Sequence, residues 1–187
     1  MIIIISGSVG SGKTTISKRI GVNLGFEVVP LNKIAEDFKL NKVKGLDTFD
    51  FDLDKLLIFI ENDIKKSRKE EKNMIYEGHF AHFINPKLVD ILFVIGRDLK
   101  ELKKEYIRRG YSLQKQKDNL EVESFNLCFY EAIEEGYNVE DFDLGFEIKN
   151  NEEIKNINMS KKIFLIENNG NLKEIIKKIE NIIKERN

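Results

Sequence analysis

The stretch Gly7-Ser8-Val9-Gly10-Ser11-Gly12-Lys13-Thr14-Thr15 near the start of the chain decides the fold. It matches the pattern G-x-x-x-x-G-K-[ST] completely, and it lies between an apolar run, Ile2–Ser6, and a helical segment, Lys13–Leu24. Glycines allow the backbone N–H groups to point into one concavity that fits a chain of phosphates. The start of the following helix adds a partial positive charge. The stretch therefore predicts a phosphate-binding loop between a strand and a helix.

The side chains of this loop predict individual roles. We expect Lys13 to reach the β- and γ-phosphates of a nucleotide and the Thr14 hydroxyl to ligate Mg²⁺. Gly10 and Gly12 let the backbone approach the phosphates, and Thr15 is placed on the α-phosphate side. The sequence predicts binding of ATP or GTP, but the reaction stays open because the same loop serves GTPases, ATPases and small-molecule kinases.

Short apolar runs alternate with amphipathic segments along the 187 residues, which is typical of an α/β fold with a parallel sheet. Strands buried on both faces are predicted at Ile2–Ser6, Phe26–Val29, Met74–Glu77, Ile91–Ile95 and Ile163–Ile166. Helices are predicted at Lys13–Leu24, Asp54–Arg68, Leu99–Arg109, about Leu120–Glu135 and Asn171–Lys184. The prediction is a single P-loop NTPase domain over residues 1–187, with a five-stranded parallel sheet flanked by helices.

Two stretches interrupt this alternation. Leu31–Phe51 follows the second predicted strand and is interpreted as a small helical arm. Asn138–Ser160 is rich in Asp and Glu and is interpreted as a surface excursion with a solvated face.

The composition excludes several function classes. A formal net charge of −1 and a pI of about 6.2 give no global basic field that would draw the protein to nucleic acid or membrane. The apolar run Ile2–Ile5 is too short for a membrane span or a signal peptide, so we expect a cytoplasmic protein. The single cysteine, Cys128, excludes a disulfide framework and a thiolate zinc cage, and is expected to be a small buried residue on a helix.

Other features narrow the class of P-loop protein. A Ras-type GTPase needs N-K-x-D, which the chain lacks, and a large motor or ABC-type ATPase needs more chain. The basic segment Lys103–Lys117 fits a lid whose cations stabilise a phosphoryl group in transfer. It also fits a solvated basic helix end that complements the helix dipole, and its residues alone leave both interpretations open.

The stretch Tyr76–Phe83 contains Glu77 and the only two histidines, His79 and His82. One acid, two histidines three residues apart and no usable cysteine make a poor zinc set. His79 follows the carboxyl end of a predicted strand, where α/β sheets place their ligands. His82 is interpreted as a loop histidine near the acceptor cleft.

These features together resemble the adenylate kinase isoenzyme 6 family, the small archaeal and eukaryotic nucleoside monophosphate kinases that are also ribosome-maturation ATPases. The resemblance covers roughly residues 1–137 and 162–185. Beyond the phosphate loop it is carried by Phe51-Asp52-Leu53-Asp54-Lys55, Glu77-Gly78-His79, Asp90, Arg97, Arg109-Gly110-Tyr111, Asp118-Asn119, Glu123 and Glu131-Ala132.

The resemblance implies a set of site residues. ATP would be bound by Gly10, Gly12, Lys13, Thr14, Thr15 and the lid residue Arg109. Thr14 and the Walker-B-like acid Glu77 would serve Mg²⁺, and His79 would join Lys13 and Arg109 in catalysis. The arm that binds the nucleoside monophosphate (NMP) would span about 30–53 and the lid about 108–118, with an acidic insert at about 138–160.

The chain departs from the family pattern at three places. Glu77 stands where eukaryotic members commonly have Asp, and Lys87 stands where an arginine is often found. The insert 138–160 is longer than usual, and no role is assigned to it.

The activity implied is a Mg²⁺-dependent, broad-specificity NMP kinase that converts ATP and AMP into two ADP, with ATPase activity in late small-subunit and 16S rRNA maturation. The implied partners are a small-subunit ribosomal protein, the eleventh of the universal set, and a transient pre-ribosome contact. Two alternatives stay open, an ATPase assembly switch with incidental kinase activity and a P-loop kinase for another small acceptor, such as a shikimate- or coenzyme-A-pathway kinase. The arm Leu31–Phe51 contains no arginine, which argues against a strongly anionic acceptor held by arm arginines.

Overall fold

A parallel sheet of short apolar strands lies at the centre of the computed structural model, which describes residues 1–42, 49–139, 162–168 and 170–186. Its strand order is β2-β5-β1-β6-β8-β7, and a separate antiparallel pair consists of β3 and β4. In chain order the strands are β1 Ile2–Ser6, β2 Glu27–Pro30, β3 Lys39–Lys42, β4 Phe49–Phe51, β5 Met74–Glu77, β6 Ile91–Arg97, β7 Asn138–Val139 and β8 Lys162–Asn168.

Helices connect the strands and cover both faces of the sheet. They are α1 Lys13–Leu24, α2 Leu31–Ile34, α3 Leu53–Lys69, α4 Leu99–Arg108, α5 Leu113–Ser124, α6 Leu127–Glu134 and α7 Leu172–Lys184. Short 3₁₀ helices occupy Ala35–Phe38, Ala81–Phe83 and Pro86–Leu88.

The strand β1 shows why the sheet strands are continuously apolar. Ile2 and Ile4 face a core that includes residues of α3 and α6, whereas Ile3 and Ile5 face a second core that includes residues of α1 and α7. All four isoleucines are fully buried, as expected for a parallel strand covered on both faces. The five predicted strands are confirmed, with β2 starting one residue later than predicted, and the two-residue strand β7 extends the sheet beyond β8.

The predicted helical arm at Leu31–Phe51 is only partly correct. The backbone is helical through α2 and the 3₁₀ helix as far as Phe38, and the chain then forms the antiparallel strands β3 and β4. Residues 43–48 of the arm lie outside the described residues, as does the acidic insert apart from Asn138–Val139.

The prediction of one helix over Leu120–Glu135 is wrong. The segment forms the end of α5 and all of α6, separated at Phe125 and Asn126. Asn126 has φ 49, a left-handed conformation that ends one helix and starts the next, and asparagine tolerates it better than most residues. Phe125, which precedes this break, is 64% exposed. Cys128 is buried on α6, as predicted.

Among the described residues, no helix combines the length and the apolar character that a membrane crossing requires.

Candidate active site

The phosphate loop connects β1 to α1 and owes its path to glycine. Gly7 has φ 130 and packs so closely on β6 that a Cβ there would lie 2.2 Å from the Ile95 carbonyl oxygen. Gly12 has φ 103 and immediately precedes α1, so no other residue would hold this turn without strain. The loop therefore lies at the carboxyl end of the central strand, with α1 pointing its N-terminus at the site.

The ammonium group of Lys13 is buried inside this loop. Its Nζ donates to the carbonyl oxygens of Gly7 and Ser8, each at 2.8 Å. Burial lowers the pKa of Lys13 to about 8, while the nearby acids act in the opposite direction. Two backbone acceptors therefore fix the cation where a phosphate chain on the loop would meet it.

Thr14, on the first turn of α1, contacts Glu77, the last residue of β5. The Thr14 hydroxyl donates to the Glu77 carboxylate, with distances of 3.1 Å to Oε1 and 3.2 Å to Oε2. The parallel pairing of β1 with β5 places Ile5 beside Glu77, so the carboxylate comes to the mouth of the loop. Glu77 is 3% exposed. A hydroxyl and a carboxylate oxygen are hard ligands of the kind that Mg²⁺ prefers, and the assignment of Thr14 and Glu77 to Mg²⁺ stays a prediction.

His79 lies on the loop that follows β5. Its Nδ1 is 3.2 Å from Oδ1 of Asn32, which belongs to α2 at the start of the arm, and its ring meets Phe80 edge-on. Burial, followed by the charge of Lys13, lowers the pKa of His79 to about 4. The imidazole is therefore neutral at pH 7 and has a nitrogen able to accept a proton.

His82, interpreted from the sequence as a loop histidine near the acceptor cleft, is buried in the fold. It lies in the 3₁₀ helix Ala81–Phe83 and is 1% exposed. Its Nδ1 is 2.7 Å from Oγ of Ser6 at the end of β1, and its Nε2 is 2.9 Å from Oε2 of Glu131 on α6. Burial lowers its pKa to about 4, so the ring is neutral and packed within the fold.

Arg109 directly follows α4, at the rim of the site. Its Nε donates to Oε1 of Glu105 at 2.7 Å, and Nη1 lies 3.5 Å from the Tyr111 hydroxyl. The helix itself is docked on the phosphate loop, since the Tyr106 hydroxyl donates to the Val9 carbonyl at 2.7 Å. The cation predicted for the lid is thus near the loop but paired with an acid of its own helix.

Three residues to which the sequence assigned no such contact hold the loop. Arg97 donates from Nη1 to the Gly10 carbonyl at 2.9 Å, and Asn168 donates to the Ser11 carbonyl at 2.7 Å. Glu123 accepts from the Ser8 hydroxyl and from the Arg97 amide, and burial raises its pKa. Arg97 and Asn168 end two parallel strands, which is the one signal in the sequence that points to them.

The structure thus brings together most of the predicted site. Lys13, Thr14, Glu77 and His79 surround one end of the sheet, and Thr15 lies exposed on the first turn of α1. Such an arrangement can bind a phosphate chain, place a divalent ion beside it and present a neutral imidazole nearby.

Comparisons with known proteins show the family to which the chain belongs. A family model described as "AAA domain" matches residues 3–126. A Thermococcus gammatolerans protein named "Putative adenylate kinase" is 37% identical over 143 residues, which cover 76% of each chain. The "Adenylate kinase isoenzyme 6 homolog" of Schizosaccharomyces pombe is 30% identical over 136 residues, covering 71% of this chain and 74% of that protein.

The fold is also shared with solved structures. A deoxyadenosine kinase from M. mycoides aligns with 99% of each chain, at a TM-score of 0.55 and 19% identity. At this identity the similarity concerns the fold alone.

Proposed function

Because the chain belongs to the adenylate kinase isoenzyme 6 family, we propose that it is a Mg²⁺-dependent nucleoside monophosphate kinase of broad specificity that converts ATP and AMP into two ADP. The observation that carries this proposal is the convergence of the buried Lys13 ammonium and the Thr14–Glu77 pair at the mouth of the phosphate loop. The transferred γ-phosphoryl group would leave an ADP oxygen and bond to a phosphate oxygen of AMP.

The loop residues would act by positioning and charge. Backbone N–H groups of the loop bind the phosphate chain, and Lys13 meets the β- and γ-oxygens. Thr14 and Glu77 would hold Mg²⁺ directly or through its water, and the ion would supply positive charge to the phosphate oxygens. No protein base is needed for transfer, because an acceptor monophosphate oxygen is already an anion.

Arg109 would complete the site from the lid. Negative charge spreads over the moving phosphoryl group, and a cation that arrives with a closing segment stabilises it and excludes water. Arg109 is placed for this role because its helix is docked on the loop through Tyr106 and Val9. The acceptor would lie on the arm side, where Asn32 contacts His79.

One coupled assay tests the proposal. Purified protein with ATP and Mg²⁺ is given AMP, CMP, UMP or GMP, or no acceptor, and ADP formation is followed. We expect a large stimulation by AMP and smaller ones by other monophosphates. Equal rates with and without acceptors would contradict the kinase and favour an ATPase switch. Stimulation by shikimate or dephospho-coenzyme A, with none by a monophosphate, would favour a kinase for another acceptor.

ATP hydrolysis is a second candidate activity, favoured by the neutral His79 beside Glu77. Water, unlike a monophosphate, must lose a proton. His79 is neutral at pH 7 because burial lowers its pKa, so a ring nitrogen has a lone pair that would orient the attacking water or, as a weak base, accept its proton. The variant His79→Ala is expected to lower acceptor-free hydrolysis by about tenfold or more while phosphotransfer changes by less than about twofold. Unchanged rates for both activities would remove His79 from this role.

The proposed biological setting is late maturation of the small ribosomal subunit, including its 16S rRNA, through a small-subunit ribosomal protein, the eleventh of the universal set. This part of the proposal is supported by the family resemblance. The acidic stretch Glu140–Glu153, which lies outside the described residues, would meet the basic partner by charge complementarity. A pull-down with the acids of this stretch neutralised should lose the partner, and an unchanged pull-down would exclude the stretch as its binding surface.

A further inference from the structure

A second cluster of ligand-bearing side chains lies where β1, the loop after β5 and α6 meet. A ring nitrogen of His82, Sγ of Cys128 and a carboxylate oxygen of Glu131 lie within 4.8 Å of one another. His82 and Cys128 are 1% and 7% exposed, whereas the Glu131 side chain is 39% exposed. The cluster is therefore enclosed by the protein on one side and open to solvent at Glu131.

The three donors have the chemistry of a zinc site. Zn²⁺ accepts a thiolate, an imidazole and a carboxylate in four-coordinate geometry, with water in a fourth position. A thiolate is a soft ligand that Mg²⁺ and Ca²⁺ avoid, so this set differs from the all-oxygen pair Thr14–Glu77. From the sequence, Tyr76–Phe83 was a poor zinc set because no local pattern places Cys128, 46 residues beyond His82, against that loop.

The contact with Ser6 orients the His82 ring for metal binding. Oγ of Ser6 lies 2.7 Å from Nδ1 of His82 and 3.4 Å from the His79 carbonyl oxygen. With the proton on Nδ1, the ring donates to Ser6, the Ser6 hydroxyl donates to the His79 carbonyl, and the lone pair of Nε2 faces the Glu131 carboxylate at 2.9 Å. With the proton on Nε2, the ring donates to Glu131 and the Ser6 hydroxyl donates to Nδ1. A cation bound between Nε2 and the carboxylate would select the first tautomer. A histidine whose outer nitrogen is fixed by a hydrogen bond is the usual form of a metal ligand.

We propose that His82, Cys128 and Glu131 form a zinc-binding site, distinct from the magnesium ligands at the phosphate loop. On binding, a zinc–sulfur bond forms, and the thiol proton of Cys128 leaves to solvent through the open side at Glu131. Nothing is oxidised or reduced. Because binding releases protons, the affinity rises with pH.

Titration of the full-length chain with Co²⁺, in the presence of Mg²⁺, tests the site. We expect one equivalent to produce a near-ultraviolet thiolate-to-cobalt band together with the intense visible bands of a four-coordinate ion, and one equivalent of Zn²⁺ to remove them. Cys128 is the only cysteine, so any thiolate band reports this site and no other. A Co²⁺ ion at the phosphate loop would have oxygen ligands and give no such band.

Variants on α6 complete the experiment. Cys128→Ser should abolish the thiolate band, and Glu131→Gln should weaken binding by about tenfold or more. Glu134→Gln removes an exposed acid of the same helix and should bind like the unaltered chain. Absence of a thiolate band in the unaltered protein would overturn the proposal even if Cys128→Ser failed to fold. Equal affinity in Glu131→Gln and Glu134→Gln would overturn the assignment of Glu131. These outcomes are independent of kinase or ATPase activity.

Discussion

The phosphate loop, Gly7–Thr15, and the predicted lid, Arg108–Asp118, hold their cations in opposite ways. Lys13 is buried and bonded to two backbone carbonyls of its own loop. Arg109 is 37% exposed and paired with Glu105, four residues earlier in the chain. An exposed pair of this kind contributes only about 0–1 kcal/mol to stability. The first cation is preorganised by the backbone, whereas the second can leave its partner at little cost.

This difference indicates that Lys13 and Arg109 would stabilise the phosphate charge at different stages of the reaction. A cation held by backbone carbonyls is already in position when the phosphates bind to the loop. It can stabilise their charge both in the bound substrate and during transfer. A cation held by a weak pair contributes when its segment closes on the substrate. Substitutions in the rigid loop and in the lid should therefore differ in their effects on activity and stability.

Lys13→Met should produce the largest effect. The variant keeps the apolar stem and removes the buried ammonium, so we expect the rate of phosphotransfer to fall by about 10³-fold. The control is Lys18→Met, which alters an exposed lysine of the same helix and should stay within about twofold. Steady-state kinetics with ATP and AMP give both values, and a loss below about tenfold in Lys13→Met would remove Lys13 from its assigned role.

Substitution of glycines tests the rigidity of the two regions. In Gly7→Ala the new Cβ would lie 2.2 Å from the Ile95 carbonyl, at φ 130. We expect the free energy of unfolding to fall by about 3 kcal/mol or more. Gly110→Ala in the lid, at φ 68 with no atom within 4 Å, should cost only about 1 kcal/mol. Urea unfolding measures both, and equal costs would contradict the contrast between the regions.

Arg109→Ala should lower the rate of phosphotransfer by about tenfold to a hundredfold, at the low end of what a charge-stabilising donor contributes. Arg108→Ala is a closely matched control, because Arg108 is the adjacent arginine and pairs with the same Glu105. The control should change the rate by less than about threefold. Equal losses in the two variants would mean that general basic charge, and not the position of Arg109, matters.

The pH dependence of ATP binding should show the smallest effect. Lys13 is charged below its depressed pKa of about 8 and loses its proton above it, while bound phosphates favour the charged form. Affinity should therefore stay level below about pH 8 and weaken by up to tenfold per unit above it. Calorimetry in buffers of different ionisation enthalpy should show uptake of about one proton near pH 9, absent in Lys13→Met. Affinity independent of pH would mean that the Lys13 pKa is not depressed.

The sequence predicted the features that follow from local patterns. The phosphate loop was predictable because its glycines, lysine and threonine are fixed by backbone geometry within nine residues. The strands β1, β5 and β6 were predictable because both faces of each are largely buried and their apolar runs are continuous. The edge strand β2, predicted to be buried on both faces, is only partly buried. The Thr14–Glu77 pair was implied by the family resemblance, and the pairing of β1 with β5 brings the two side chains together.

The features that the sequence missed depend on tertiary packing. The helix break at Asn126 was missed because the four-residue apolar spacing continues across it, although Phe125 turns to solvent. The burial of His82 was missed because its partners, Ser6 and Glu131, are 76 and 49 residues away in the chain. No local pattern records such contacts.

The fate of a labelled γ-phosphate tests the proposed reaction most directly. ATP labelled in that group is incubated with the protein, Mg²⁺ and AMP, and the products are separated at early times. The proposed mechanism predicts that the label appears in the β-phosphate of ADP formed from AMP. It also predicts that the rate of this transfer falls strongly in Lys13→Met. Label released as inorganic phosphate at the same rate with or without AMP, and none in ADP, would contradict it.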